Sequence, residues 1–216
     1  AVANVLRTLR ARAGWSLGAD SLHARRIEAI AAQTVTRSRI DLIHSHFGWP
    51  GGFGGAVAAA LTGVPLIASL RGMDLLRDDS IGYGLRRRGA YRRNLSVLLE
   101  RASRTIYATE FMRDRGLQLG ARPEGAMLVR KGVDLDRFNP RGRPAARTRL
   151  QVTAPVLLAA GAFQRRKGYD TVMAAMGLLR DRPWTLVLCG DGPERQVLER
   201  QAAAAGLTSR VRFAGT

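Results

Sequence analysis

The chain holds one cysteine, Cys189, among 216 residues, so it has no disulfide framework and no cysteine-ligated zinc site. Cys189 closes an apolar run and reads as a small core residue. Histidine is nearly as scarce, with three copies, and neither His44 nor His46 has a partner at ligand spacing, so no metal is expected. No apolar run approaches the roughly 20 residues that cross a bilayer. The opening AVANVLRTLRARAGW lacks the apolar stretch and cleavage site of a signal peptide. A cytoplasmic location is therefore expected, with peripheral contact on the inner face of a membrane left open. Aromatics make up only 6% and do not interleave with the arginines, and no helix-turn-helix or RNA-binding signature occurs. A non-catalytic or nucleic-acid-binding basic α/β domain is thus a secondary reading. A dinucleotide oxidoreductase is weaker still, because Gly190-Asp191-Gly192 lacks a third glycine at the required spacing. Acidic residues are outnumbered 17 to 35 by Lys and Arg, for a net charge of +18. The arginines are spread over most helical segments, which fits either a compositional bias of solvated faces or an anionic partner.

What is present is an α/β pattern. Hydrophobic residues reach 46%, and 24 glycines suit a chain with many strand-to-helix turns. Strand and helix candidates alternate throughout, as in a parallel sheet of βαβ units. Helices are predicted over 22–36, 54–61, 84–102, from 111, over 170–179 and over 194–205. Strands are predicted over 41–47, 65–70, 104–109, 126–129, 156–160, 185–189 and 210–214. The polar stretch RGRPAARTRLQVT (141–153) marks a boundary between a domain at 1–142 and one at 143–216. The chain opens on a helix and stops at a strand, so both domains are expected to be incomplete.

The most informative segment is APVLLAAGAFQRRKGYD (154–170). Its apolar run shows no polar alternation and predicts a strand covered on both faces. Gly161 allows a sharp exit, and Arg165, Arg166 and Lys167 follow just ahead of a helix. Open backbone N–H groups and the dipole at a helix start, joined by cationic side chains, suit a diphosphate. A second strand running into Gly190-Asp191-Gly192-Pro193 repeats the arrangement. Two adjacent strand–Gly–helix turns are how an α/β sheet presents a nucleotide at its carboxyl edge.

Five segments in register resemble the retaining glycosyltransferases of family four, the glycosyl transferase group 1 proteins. They are DLIHSHF, GVPLIASLRGMD, KGVDLDRFNP, GAFQRRKGYD and LVLCGDGPERQVLE with VRFAGT. The resemblance implies a GT-B fold of two Rossmann-like, doubly wound parallel-sheet domains. It also implies transfer of a sugar from a nucleotide sugar to a glycan or lipid-linked acceptor with retention, in cell-envelope polysaccharide or glycolipid synthesis. No cofactor is implied beyond the nucleotide-diphosphate donor, because cationic donors can stabilise the departing diphosphate.

Carried over residue by residue, the resemblance places Gly161, Arg166, Lys167 and Gly190 at the donor, with Lys167, Arg165 and Arg71 as catalytic cations. It places His46, Trp49 and Asp74 on the acceptor side, with Trp49 as an aromatic platform or a cover for the sheet edge. His44 is expected to turn away from His46 into the interior. Three positions depart from the family's pattern: Ala162 where an arginine follows the glycine, Arg71 where a histidine stands, and Lys131 where an asparagine stands. The basic helix over 84–102 fits docking on an anionic membrane, at about 1 kcal/mol per Lys or Arg. The family's glycine-rich loop and paired glutamates would lie beyond the two ends, so the chain by itself is expected to lack useful turnover.

Overall fold

The computed structural model describes residues 40–153 and 155–216, together with Gln33 and Arg37. The helix expected over 22–36 lies outside the described residues. The chain divides into two compact units, one ending at Gly132 and the other running Val133–Thr216.

The first unit carries a four-stranded parallel sheet of β1 (Ile43–His46), β2 (Leu66–Ser69), β3 (Arg104–Tyr107) and β4 (Ala126–Leu128), in that order. Helices α1 (Phe53–Thr62), α2 (Gly72–Leu75), α3 (Gly89–Arg101) and α4 (Glu110–Gln118) fill the crossovers. Spatial order follows chain order, so every crossover steps the same way across the sheet. The carboxyl ends of all four strands therefore share one edge. In α1, small residues permit close approach: a Cβ on Gly55 would lie 2.1 Å from Ser45 Oγ on β1. The helix stops at Gly63, whose φ of 76° supplies the left-handed cap. In α3, Tyr91, Leu95, Leu98 and Leu99 are buried at helical spacing, each Leu contributing about 2 kcal/mol of apolar burial. For α4, Thr109 caps the start by accepting from the Met112 N–H at 3.2 Å.

The second unit carries a three-stranded parallel sheet of β5 (Val156–Ala160), β6 (Thr185–Cys189) and β7 (Val211–Gly215). The crossovers are α6 (Tyr169–Leu178) and α7 (Arg195–Ala204), and α5 (Arg143–Leu150) precedes β5. Its core gathers Phe163, Met173, Met176, Trp184, Leu186 and Leu188. The strand β6 is buried on both faces, as a central parallel strand should be.

Two expectations are corrected. Strand β5 is not covered on both faces: Leu157 is 40% exposed and Leu158 68%. It pairs only with β6 among the described residues, and Ala160 is exposed as well. The predicted helix over 84–102 is broken into a short 3-10 turn, Leu85–Arg87, and α3 from Gly89. Gly84 sits at φ 96°, and a Cβ there would lie 2.0 Å from the Leu76 carbonyl, so the chain passes α2 too closely to be helical at this point. The segment read as a polar boundary contains α5, which Pro144 starts and Gln151 ends in the left-handed region.

Candidate functional site

Each sheet presents a loop cluster at its carboxyl edge. In the first unit the organiser is Asp74, which is 0% exposed. Its Oδ1 accepts from the Gly48 N–H at 2.8 Å and the Tyr91 hydroxyl at 2.9 Å, and its Oδ2 accepts from the Arg71 N–H at 2.8 Å. One carboxylate thereby ties the loops after β1 and β2 to helix α3. Burial and the adjacent Asp74 carboxylate push the Tyr91 phenol far above its usual range, so it remains a donor. No part of Asp74 reaches solvent, so its contribution to this edge is to hold the loops in place.

Arg71 begins α2 and is half-buried, with its guanidinium carbon 5.8 Å from the centroid of the Phe47 ring. Phe47 follows β1 with φ 67° and ψ 156° and leaves half of its surface exposed. His46 is exposed at the same strand end. His44 does not turn inward: it is exposed on the same face, its ring 4.5 Å from that of His46, and it shares a 2.9 Å hydrogen bond with Ser69 Oγ. The two-residue period of a strand requires that shared face. Trp49 packs on Phe53 at 5.9 Å and walls a cavity of about 70 Å³ with Leu85, Arg88, Ala90, Tyr91 and Asn94. That volume is well below the roughly 300 Å³ of an ordinary ligand pocket. Lys131 is exposed at the end of the unit.

In the second unit, the loops after β5 and β6 interlock. Gly161 leaves β5 at φ 149°, and its N–H donates to the Cys189 carbonyl at 2.9 Å. Gly190 and Gly192 have φ of 142° and 154°. A Cβ on Gly190 would lie 2.1 Å from the Gly161 carbonyl oxygen, and one on Gly192 would lie 2.6 Å from that of Phe163. Only glycine permits this backbone contact, so Gly190 locks the two loops together through packing. The buried Phe163 plugs the interlock edge-on to Tyr169, whose hydroxyl donates to the Gly161 carbonyl at 2.9 Å. Burial raises the Tyr169 phenol, with Cys189 adding to the effect.

The basic turn follows as a 3-10 segment, Arg165–Lys167, ending at Gly168 in the left-handed region, and α6 starts there without a side-chain cap. Lys167 is exposed and folds back, its Cε 4.0 Å from where a Gly161 Cβ would stand. The structure thus brings Lys167 and Gly161 together at the strand exit. The exposed Arg166 donates through Nε to Gln164 Oε1 at 2.8 Å. Arg165 is set apart from that pair, lining a shallow crevice with Tyr169, Asp170, Glu194 and Gln201. Ala162 is exposed and offers no charge. Residues that sequence reasoning missed are Phe47, Gly48, Tyr91 and Tyr169. Of these, only the Tyr169 spacing from Gly161 carried a local signal.

The chain matches the family model for Glycosyltransferase Family 4 over residues 3–137 and that for Glycosyl transferases group 1 over 144–216. A D-inositol 3-phosphate glycosyltransferase of Nocardioides sp. is 32% identical over 198 residues, covering 88% of this chain and 43% of its own length. D-inositol 3-phosphate glycosyltransferase 1 of Catenulispora acidiphila is 36% identical over 143 residues, covering 64% of this chain and 34% of its own. The chain spans less than half the length of these curated relatives. Among solved structures, Anabaena HepE in complex with UDP aligns with a TM-score of 0.70 at 24% identity, over 87% of this chain and 51% of that one. Sucrose-phosphate synthase from Thermosynechococcus elongatus aligns with a TM-score of 0.72 at 22% identity, over 88% and 48%. These likenesses, with two all-parallel sheets, establish the GT-B type of fold.

Proposed function

The chain belongs to the group 1, family 4 glycosyltransferases, and from that premise we propose that it serves transfer of a sugar from a nucleotide-diphosphate sugar to an acceptor hydroxyl, with retention of configuration. The second unit is the donor half, and the observation that carries the reading is the Gly161–Lys167 turn. A strand exit, an uncapped helix start and a lysine folded over the glycine create a compact positive site for a diphosphate. As the anomeric C–O bond breaks, the diphosphate leaves with the bonding electron pair, and an ammonium already in place stabilises that charge. The UDP and UDP-glucose held by structural neighbours favour the same donor class.

The first unit is the acceptor half, with Arg71, His46 and Trp49 at its carboxyl edge. The acceptor is a glycan, a lipid-linked sugar or, as the names of the relatives suggest, a phosphorylated polyol. The arginines of α3 supply peripheral contact with an anionic membrane. The test is calorimetric titration of UDP- and GDP-sugars into the chain and into Lys167→Ala. Loss of about 10-fold or more in affinity is expected, the scale of a charge-assisted bond. Equal binding by the variant overturns the assignment of the turn.

A further inference from the structure

One oxygen fixes both walls of the cavity between helix α3 and the turn that carries Trp49. Asp74 Oδ1 accepts from the Gly48 N–H, beside Trp49, and from the Tyr91 hydroxyl. The fit is close: a Cβ on Gly48 would stand 2.3 Å from the Tyr91 hydroxyl oxygen. Phe53 packs against the Trp49 ring, and a Cβ on Gly52 would lie 2.7 Å from Leu98 Cδ2 on α3. The gap between Trp49 and α3 is therefore set by the fold in advance, which spares a ligand the cost of ordering it.

Trp49, Leu85, Ala90 and the Tyr91 ring give this cavity of about 70 Å³ its apolar surface, and Arg88 and Asn94 give it polar groups. Neither the Arg88 guanidinium nor the Asn94 amide has a partner among the described residues. The neighbouring Arg86, Arg87 and Arg92 are all engaged, with the Leu75 carbonyl, Asp79 and the Arg86 carbonyl. At about 10–15 Å³ for each water-sized group, the space admits about five heavy atoms. A whole sugar ring is too large, whereas one substituent of a sugar fits. Arg88 offers only donors and Asn94 offers an acceptor as well, so the complement has one carbonyl and one N–H. Beside them the aromatic and aliphatic walls call for a methyl. A secondary amide is trans, with its N–H and C=O directed oppositely. Arg88 precedes α3 and Asn94 lies in its second turn, so the two meet a ligand from different levels of the helix.

We propose that this cavity is an acetamido pocket that takes the N-acetyl group of a 2-acetamido sugar. The methyl rests on Trp49 and Tyr91, the amide N–H donates to Asn94 Oδ1, and the Arg88 guanidinium donates to the carbonyl. Given the reading of the first unit as the acceptor half, on which the pocket's role rests, the acceptor carries an N-acetylhexosamine, and Trp49 and Asn94 set that preference.

Saturation-transfer NMR with N-acetylglucosamine, glucose and acetate tests the wild-type chain, Asn94→Leu, Trp49→Ala and the control Ser96→Ala on the exposed face of α3. Melting temperatures confirm that the variants fold, and Asn94→Leu, which keeps the side-chain size, decides the matter if Trp49→Ala does not fold. The acetyl methyl of N-acetylglucosamine is expected to receive the strongest saturation, with glucose bound about 10-fold more weakly. Asn94→Leu should lose about 10-fold in affinity for N-acetylglucosamine while Ser96→Ala loses little. Equal binding of glucose, undiminished binding by Asn94→Leu or full displacement by equimolar acetate overturns the pocket. UDP-glucose binding is read in the same samples. If it persists without a preference for the acetyl group, the pocket falls and the donor assignment stands. If only N-acetylglucosamine binds, the pocket stands and the donor assignment falls.

Discussion

The guanidinium of Arg71 rests 5.8 Å from the centroid of the Phe47 ring, and Phe47 holds a backbone conformation that ordinarily belongs to glycine, φ 67° with ψ 156°. The strain lies at the base of the side chain that steadies a candidate catalytic cation. Phe47→Ala removes the ring and keeps the strain, whereas Phe47→Gly removes both. Urea denaturation is expected to find the glycine variant more stable than the alanine variant by about 1 kcal/mol or more, reversing the usual preference for alanine. An alanine variant that is the more stable would show that residue 47 stores no strain.

Asp74 gathers three donors without contact with solvent. Asp74→Asn places an NH₂ against at least one of them and removes the charge, at an expected cost of about 2–3 kcal/mol in chemical denaturation. Loss well below 1 kcal/mol would mean that the loops keep their arrangement without the carboxylate.

The Tyr91 phenol also predicts a pH dependence. Its folded-state pKa is raised by burial and by Asp74, so the native state holds its proton where the unfolded chain releases it. The stabilisation is complete below the unfolded value near 10 and declines as pH rises above it, by up to about 1.4 kcal/mol per pH unit for one proton. Unfolding free energies measured from pH 9 upward should fall less steeply in Tyr91→Phe than in the wild type. Tyr107 and Tyr169, also raised, leave a residual slope. Identical slopes would exclude Tyr91 as a linked group.

Glycines in the second unit should separate cleanly by site. Gly190→Ala drives a Cβ to 2.1 Å from the Gly161 carbonyl at a φ of 142°, and should cost about 3 kcal/mol or more. Gly177→Ala, in the last turn of α6 with a negative φ and open space around it, should stabilise by about 0.4–1 kcal/mol. Melting curves of the two variants test the interlock, and similar shifts would refute it.

Tyr169→Phe removes the hydroxyl that donates to the Gly161 carbonyl at 2.9 Å. About 1 kcal/mol of stability should go with it, together with a small loss of UDP-glucose affinity as the turn loosens. Unaltered melting and binding would leave that bond without a role.

The elements that could be read from the sequence were those encoded in neighbouring residues. Apolar runs and helical spacing located all seven strands of the described residues, and the glycine at 161 marked the exit of β5. What escaped notice depends on distant partners. Asp74 meets Gly48 and Tyr91 across separations of 26 and 17 residues, so nothing beside it in the chain marks it as buried. Gly84 breaks a good helical pattern because Leu76 passes behind it, a contact that periodicity does not encode. The run in β5 reads as fully covered because its composition matches a central strand, whereas coverage is decided by what stacks on it. The stacked faces of His44 and His46 were recoverable, since strand alternation alone dictates them.

The openness of β5 has a practical side. VLLAA is an uncharged, strongly apolar strand with Leu158 68% exposed, and β6 is its one strand partner among the described residues. Such an edge is a template on which another molecule's strand can nucleate. Concentrated preparations of these 216 residues will therefore be governed by colloidal behaviour at one strand, whatever the overall cationic charge does for solubility. A single lysine gatekeeper, Leu158→Lys, is the change that should keep them monodisperse.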